Sequence, residues 1–98
     1  MTTKRTWLSL SPEVHEKLKT KAIDDGFGTR TKLLLDAVDK YQGEELSRDR
    51  KFHTSNRKLL SLNLIDLDDE LITEKAKLSR MKRSEFLRSL AYTIVSEK

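Results

Sequence analysis

Two short alternating stretches carry the side chains best suited to recognition chemistry. In RTWLSLSPE, residues 5 to 13, a period of two sets Thr6, Leu8 and Leu10 on one face and Arg5, Trp7 and Ser9 on the other. In KLLSLNLID, residues 58 to 66, Leu60, Leu62 and Leu64 alternate against Leu59, Ser61 and Asn63. A guanidinium, hydroxyls and a carboxamide thus lie opposite an apolar face, with their hydrogen-bonding capacity directed outward. The chain's one Trp shares that otherwise polar face. Such a face meets solvent, a second core or a ligand.

Reaction chemistry finds less support. The acid pair Asp68-Asp69 opens a helical pattern, where acids suit the helix dipole without a catalytic role. Gly26-Phe27-Gly28 fits a helix stop and turn better than a phosphate-binding glycine loop. His15 and His53 are far apart in sequence and read as surface residues. With no Cys, disulfides and thiolate metal sites are excluded. The expectation is a binding protein, not an enzyme, with no cofactor and no metal.

The 98 residues suit one compact domain or two very small ones. Charged residues make up 37% and hydrophobic residues 36%, but the apolar positions are periodic, which argues against disorder. The longest apolar run, Leu33-Leu34-Leu35, is too short to span a bilayer. MTTKRTW lacks the apolar stretch of a secretory signal, so a cytoplasmic protein is expected. Net charge is only +4, spread as +2 over residues 1–41, +1 over 42–57 and +1 over 58–98. A sum this small does not identify a nucleic-acid binder; the positions of the charges must do so.

An internal repeat supplies the elements that position these residues. TRTKLLLDAVDKY (29–41) aligns with KRSEFLRSLAYTI (82–94) at an offset of 53. Arg30 matches Arg83, and Thr31 matches Ser84. Leu33 and Leu34 match Phe86 and Leu87; Ala37 and Val38 match Leu90 and Ala91; Tyr41 matches Ile94. The spacing i, i+1, i+4, i+5, i+8 is one face of a helix. An earlier helix precedes each segment. The first starts with Ser11 as N-cap and Pro12 at N1, turns Val14, Leu18 and Ala22 inward, and stops at Gly26. The second takes Asp68 as N-cap, turns Leu71, Ile72, Ala76 and Leu78 inward, is about one turn shorter, and meets Arg80-Met81 where a glycine stop is expected. Each half therefore reads strand, helix, helix: residues 1–41 and 58–98, joined by a polar linker, 42–57. The start of that linker, through about Arg48, can also extend the preceding helix. The core set from the helices is Leu18, Ala22, Leu33, Leu34, Ala37, Val38, Leu71, Ile72, Ala76, Phe86, Leu87, Leu90 and Ile94.

About 40 residues of strand, helix and helix bury too little apolar surface to fold alone, and a lone strand leaves its edge unpaired. Two copies answer both needs: their strands pair into an antiparallel ribbon over four helices, one compact unit. The segments LSLSPEVHEKLKTKA, TRTKLLLDAV, LDDELITEKAKL and KRSEFLRSLA, in this order, resemble the ribbon-helix-helix family of β-ribbon DNA readers, the MetJ and Arc group. The chain looks like a tandem, fused pseudo-dimer of that family: mostly α, with one two-stranded antiparallel ribbon.

The resemblance implies roles. One face of the ribbon enters the major groove of double-stranded DNA, where base edges are distinguishable. Its base-reading positions here are Arg5, Trp7, Ser9, Ser61 and Asn63, while Leu59 packs. Arg can grip guanine, Asn can grip adenine, and Trp can press on a thymine methyl or a sugar. The starts of the second helices, with Thr29, Arg30, Lys82, Arg83 and Ser84, would bind phosphate, with Thr29 and Ser84 also capping. Lys4 in an N-terminal arm would add a phosphate contact, and the charge run Arg48, Arg50, Lys51, Arg57 and Lys58 reads first as a solvated linker, with further DNA-backbone contacts as the alternative. The implied function is sequence-specific DNA binding as a transcriptional repressor or as a plasmid or mobile-element accessory protein, including conjugation, with chains self-associating on adjacent subsites. The alternative is a protein-interaction or antitoxin-type module. Such modules carry a partner-binding tail, and the chain's four residues after Ile94 do not resemble one.

Overall fold

The computed structural model describes residues 3–50, 52 and 56–96; Lys51 and His53 lie outside the described residues. The order of elements is β1 (Thr3–Leu10), α1 (Pro12–Asp24), α2 (Arg30–Lys40), β2 (Lys58–Ile65), α3 (Asp66–Ser79) and α4 (Arg83–Ser96). The protein is mostly helical, with β1 and β2 pairing antiparallel within the one chain as its two-stranded sheet. No helix is long and apolar enough to cross a membrane among the described residues.

The strand register follows from the leucine alternation. Leu8 lies opposite Leu60, Thr6 opposite Leu62 and Lys4 opposite Leu64. Leu8, Leu10, Leu60, Leu62 and Leu64 are all buried, so this face is the roof of the core. Each such leucine contributes about 1.5–3 kcal/mol on full burial. A slip of one residue would turn the whole set to solvent.

Beneath the ribbon, Val14, Leu18 and Ala22 from α1 meet Leu33, Leu34 and Val38 from α2. Ile72 and Ala76 from α3 and Phe86, Leu87, Leu90, Ala91 and Ile94 from α4 complete the core. The helix α4 packs against β1 and all three other helices, as its almost wholly apolar inner face requires. Ala37 and Leu71, expected inside, are only partly buried, and Leu78 is 52% exposed. Leu78 falls on the flank of α3 away from Ile72 and Ala76, so a helical period cannot bury it with them.

Several local expectations are corrected. α3 begins at Asp66, two residues before Asp68, because β2 runs straight into it at Ile65. Asp68 is at N3, with Oδ2 3.5 Å from the Ile65 amide. α3 has 14 residues against 13 in α1, so it is not the shorter helix. Ser11 stands at the N-cap of α1 without a side-chain cap; its hydroxyl instead donates to Asp49 Oδ2 at 2.5 Å. α2 does not continue toward Arg48: it stops at Lys40, and Tyr41 turns to extended backbone.

The stretch after α2 is packed down, not merely solvated. Tyr41 is buried edge-on to Phe86, with ring centroids 5.2 Å apart, and its hydroxyl donates to Glu44 O at 2.8 Å. Burial, and secondarily the negative charge of Glu44, pushes the Tyr41 phenol above its ordinary pKa. Lys75 Nζ donates to Tyr41 O from α3. Ser47 N donates to Thr93 Oγ1 at 2.9 Å, and Arg48 pairs with Glu85 at 2.9 Å. Phe52 is buried beneath the guanidinium groups of Arg88 and Arg57, at 3.9 and 4.5 Å from its ring centroid.

Candidate nucleic-acid interface

The outer face of the ribbon is set by the same register that buries the leucines. Arg5 lies directly opposite Asn63, Trp7 opposite Ser61, and Ser9 opposite Leu59. All six therefore share one face. Arg5 and Asn63 are exposed, Ser9 and Ser61 half-buried, and Trp7 and Leu59 are 56% and 58% exposed, so Leu59 does not pack as expected, because the register puts it on the outer face. An exposed indole in the middle of a strand neither closes the core nor reaches a buried partner. The Arg5 guanidinium lies 5.9 Å from the Trp7 ring centroid, within reach of a cation–π attraction along the same strand face.

The two ends of the ribbon carry the helix starts. At one end, Asp69 of α3 is shared: Arg83 at the start of α4 approaches its Oδ1 at 2.6 Å, and Lys4 of β1 its Oδ2 at 3.9 Å. At the other end, Arg30 at the start of α2 donates its Nε to the carbonyl of His15 at 2.8 Å. His15 is held below its ordinary pKa, first by burial, then by the positive charges of Arg30 and Lys58, with a smaller push from Lys19 and an opposing pull from Glu16. One end thus carries two cations around a carboxylate. At the other, Arg30 holds the His15 carbonyl, and the charges of Arg30 and Lys58 act on the neighbouring imidazole.

Individual site residues divide accordingly. Thr29 is the N-cap of α2 and accepts from Lys32 N at 3.2 Å. Ser84 is not a cap: it is the second residue of α4, exposed, while the Phe86 amide donates to the carbonyl of Lys82. Lys4 belongs to β1, not to a free arm, because pairing begins at Thr3. Lys82 is exposed just before α4. Asp69 and His15 were not singled out as site residues by sequence, and Lys58 only as the end of a charge run. The signal was available in the spacing: His15 precedes Asp69, and Lys4 precedes Lys58, by the same 54 residues.

Chemically, this surface offers a guanidinium, a carboxamide and two hydroxyls on a ribbon two strands wide, with cationic groups at both ends. Comparisons with family models, curated proteins and solved structures gave no match.

Proposed function

We propose that the chain is a tandem ribbon-helix-helix protein, a pseudo-dimer fused in one polypeptide, that binds double-stranded DNA in a sequence-specific manner. The observation that carries this reading is the cross-strand array Arg5–Asn63 and Trp7–Ser61 on the solvent face of a ribbon whose other face is core. A two-stranded ribbon fits the major groove, and Arg and Asn are the side chains best matched to guanine and adenine edges there. Arg30 and Arg83, at the starts of α2 and α4, are the residues this reading assigns to the flanking phosphates, contacts that would fix the register.

The outer residues of the two strands differ, Arg-Trp-Ser against Leu-Ser-Asn, so the subsite is non-palindromic. Several chains then occupy adjacent subsites, in a repressor or in an accessory complex on a plasmid or other mobile element. The protein acts by binding in the cytoplasm and catalyses no reaction.

Selection of duplexes from a random pool, followed by gel-shift titration of Arg5→Ala and Asn63→Ala, tests the reading. Each variant is expected to bind about 5- to 150-fold more weakly and to relax specificity at a different base pair, as loss of a bidentate base contact implies. Unchanged affinity and site preference in both variants would exclude the ribbon face as the reader.

A further inference from the structure

Two guanidinium groups meet over one ring beside the ribbon. Phe52 is only 4% exposed, and Arg88 of α4 and Arg57 lie 3.9 and 4.5 Å from its ring centroid. Arg57 directly precedes Lys58, which pairs with Leu10 at the His15 end of the ribbon, and stands two residues before the outward Leu59. Among the described residues neither guanidinium has an ion-pair or hydrogen-bond partner. Glu85, one turn before Arg88 on α4, is taken by Arg48 at 2.9 Å. Asp49 accepts from Ser11. Beyond it, residues 50–57 contain Arg50, Lys51 and Arg57 and no acid.

Like charges gathered without a carboxylate repel one another, and attraction to the shared ring offsets part of that repulsion. That attraction acts through the face of the ring and uses none of the N–H donors of either guanidinium. Phe52 therefore gathers two long side chains whose donor capacity is unspent. An anion placed against both relieves the repulsion and accepts from both. Phosphate fits best, because its oxygens accept from the guanidinium fork in pairs.

We infer that Phe52, Arg57 and Arg88 form a phosphate clamp, which takes one phosphodiester of the DNA backbone next to the His15 end of the ribbon. The clamp is separate from the helix starts, and it makes the linker part of the binding surface. Because phosphates carry no base identity, it adds affinity and orientation without sequence preference. The inference rests on the proposed function for the source of the phosphate. It does not rest on it for the anion chemistry, which free phosphate shares, so the two fail separately.

Two titrations of the full chain test it. In the first, inorganic phosphate is added without DNA, against a chloride control of equal ionic strength, and the Nε–H signals of Arg57 and Arg88 are followed by NMR. Both are expected to shift together and saturate with phosphate alone. Phe52→Leu, which keeps an apolar side chain in place, weakens the response roughly 5-fold. In the second, gel shifts at several salt concentrations use a duplex selected by the unmodified chain and a scrambled one. Arg57→Gln and Arg88→Gln each weaken binding about 10-fold or more on both duplexes. Together they lower the slope of log affinity against log salt by about 0.9, the share of one phosphate, and leave the base preference unchanged. A phosphate response with an unchanged slope, or with no DNA binding by the chain at all, overturns the DNA backbone as the source. Signals indifferent to phosphate overturn the clamp itself, whatever becomes of the DNA reading.

Discussion

The two ends of the ribbon are built alike and charged differently. At each end a strand lysine, a first-helix residue and a second-helix arginine come together: Lys4, Asp69 and Arg83 at one, Lys58, His15 and Arg30 at the other. The carboxylate of Asp69 spends its charge on two cations. His15 offers only its backbone carbonyl to Arg30, and its ring adds no negative charge. Backbone geometry alone is thus a poor guide to function in this fold. Similar positions give one end with about one net positive charge and another with two, which rises to three when His15 protonates. Under the proposed function the His15 end grips phosphate more strongly, and the ribbon sits on DNA with a preferred direction.

The largest effects are expected in the core, where the two halves should be equal. Leu8 and Leu62 are both buried on the inner ribbon face. Either change to Ala is expected to lower unfolding stability by about 2–5 kcal/mol in chemical denaturation. A near-neutral result at one site would mean that the halves do not share one core.

At the charged ends, Asp69→Asn should make the first end resemble the second. DNA affinity rises several-fold at low salt, and the slope of log affinity against log salt steepens by ~0.9 if one further phosphate is engaged. His15→Asn should leave that slope nearly unchanged above neutral pH. Equal responses at the two positions would erase the proposed polarity.

The turns between helices give a smaller contrast. Gly26 closes α1 with φ +85°, and Arg80 closes α3 with φ +63°. Phe27 N returns to Ala22 O in the first turn, and Met81 N to Ala76 O in the second. Arg80 thus does the work of a glycine with a Cβ attached. Gly26→Ala, whose added Cβ meets nothing within 4 Å, should cost about 1 kcal/mol from backbone strain alone. Arg80→Gly should be neutral to stabilising by up to about 1 kcal/mol, the strain relieved being offset by unfolded-chain entropy. Thermal unfolding of both variants checks the sign.

The smallest effect is on pH dependence. The His15 pKa is depressed in the folded chain, so below its unfolded value, about 6.5, the unfolded state binds more protons. This part of the stability is present above that pH and is lost as pH falls through it toward the folded pKa. His15→Gln should flatten the stability profile between neutrality and mildly acidic pH, while Asp69→Asn should leave that window as it is.

The parts legible from sequence were those with a repeating physical demand. Alternating leucines dictated which strand faces are buried, since one register buries Leu60, Leu62 and Leu64 together. The i, i+1, i+4, i+5 pattern located α2 and α4 because their inner faces must meet one core. The start of α3 was less legible: Asp66 and Asp68 are equally good early helix residues, and the absence of a loop after Ile65 leaves no mark in composition. The packing of residues 42–50 and of Phe52 was hidden because Leu46 and Phe52 are isolated apolar residues in a polar stretch, with no period to announce it, whereas Tyr41 ended the helical period of the segment before them. The offset between halves also shifts from 54 in the strands and first helices to 53 in the second helices. From Gly26 and from its counterpart Arg80 onward, the second turn is one residue shorter.

Neighbouring residues on opposite faces of one strand separate recognition from folding. Thermal unfolding and DNA affinity are measured side by side for Trp7→Ala and Leu8→Ala, with a duplex selected by the unmodified chain. The expected result is a clean separation: Trp7→Ala weakens DNA binding roughly 5-fold or more and leaves the unfolding midpoint in place, while Leu8→Ala lowers the midpoint and, at temperatures where it is folded, binds nearly as before. If Trp7→Ala instead lowers the midpoint and leaves DNA affinity unchanged, the outer face of the ribbon is structural and the proposed function is wrong.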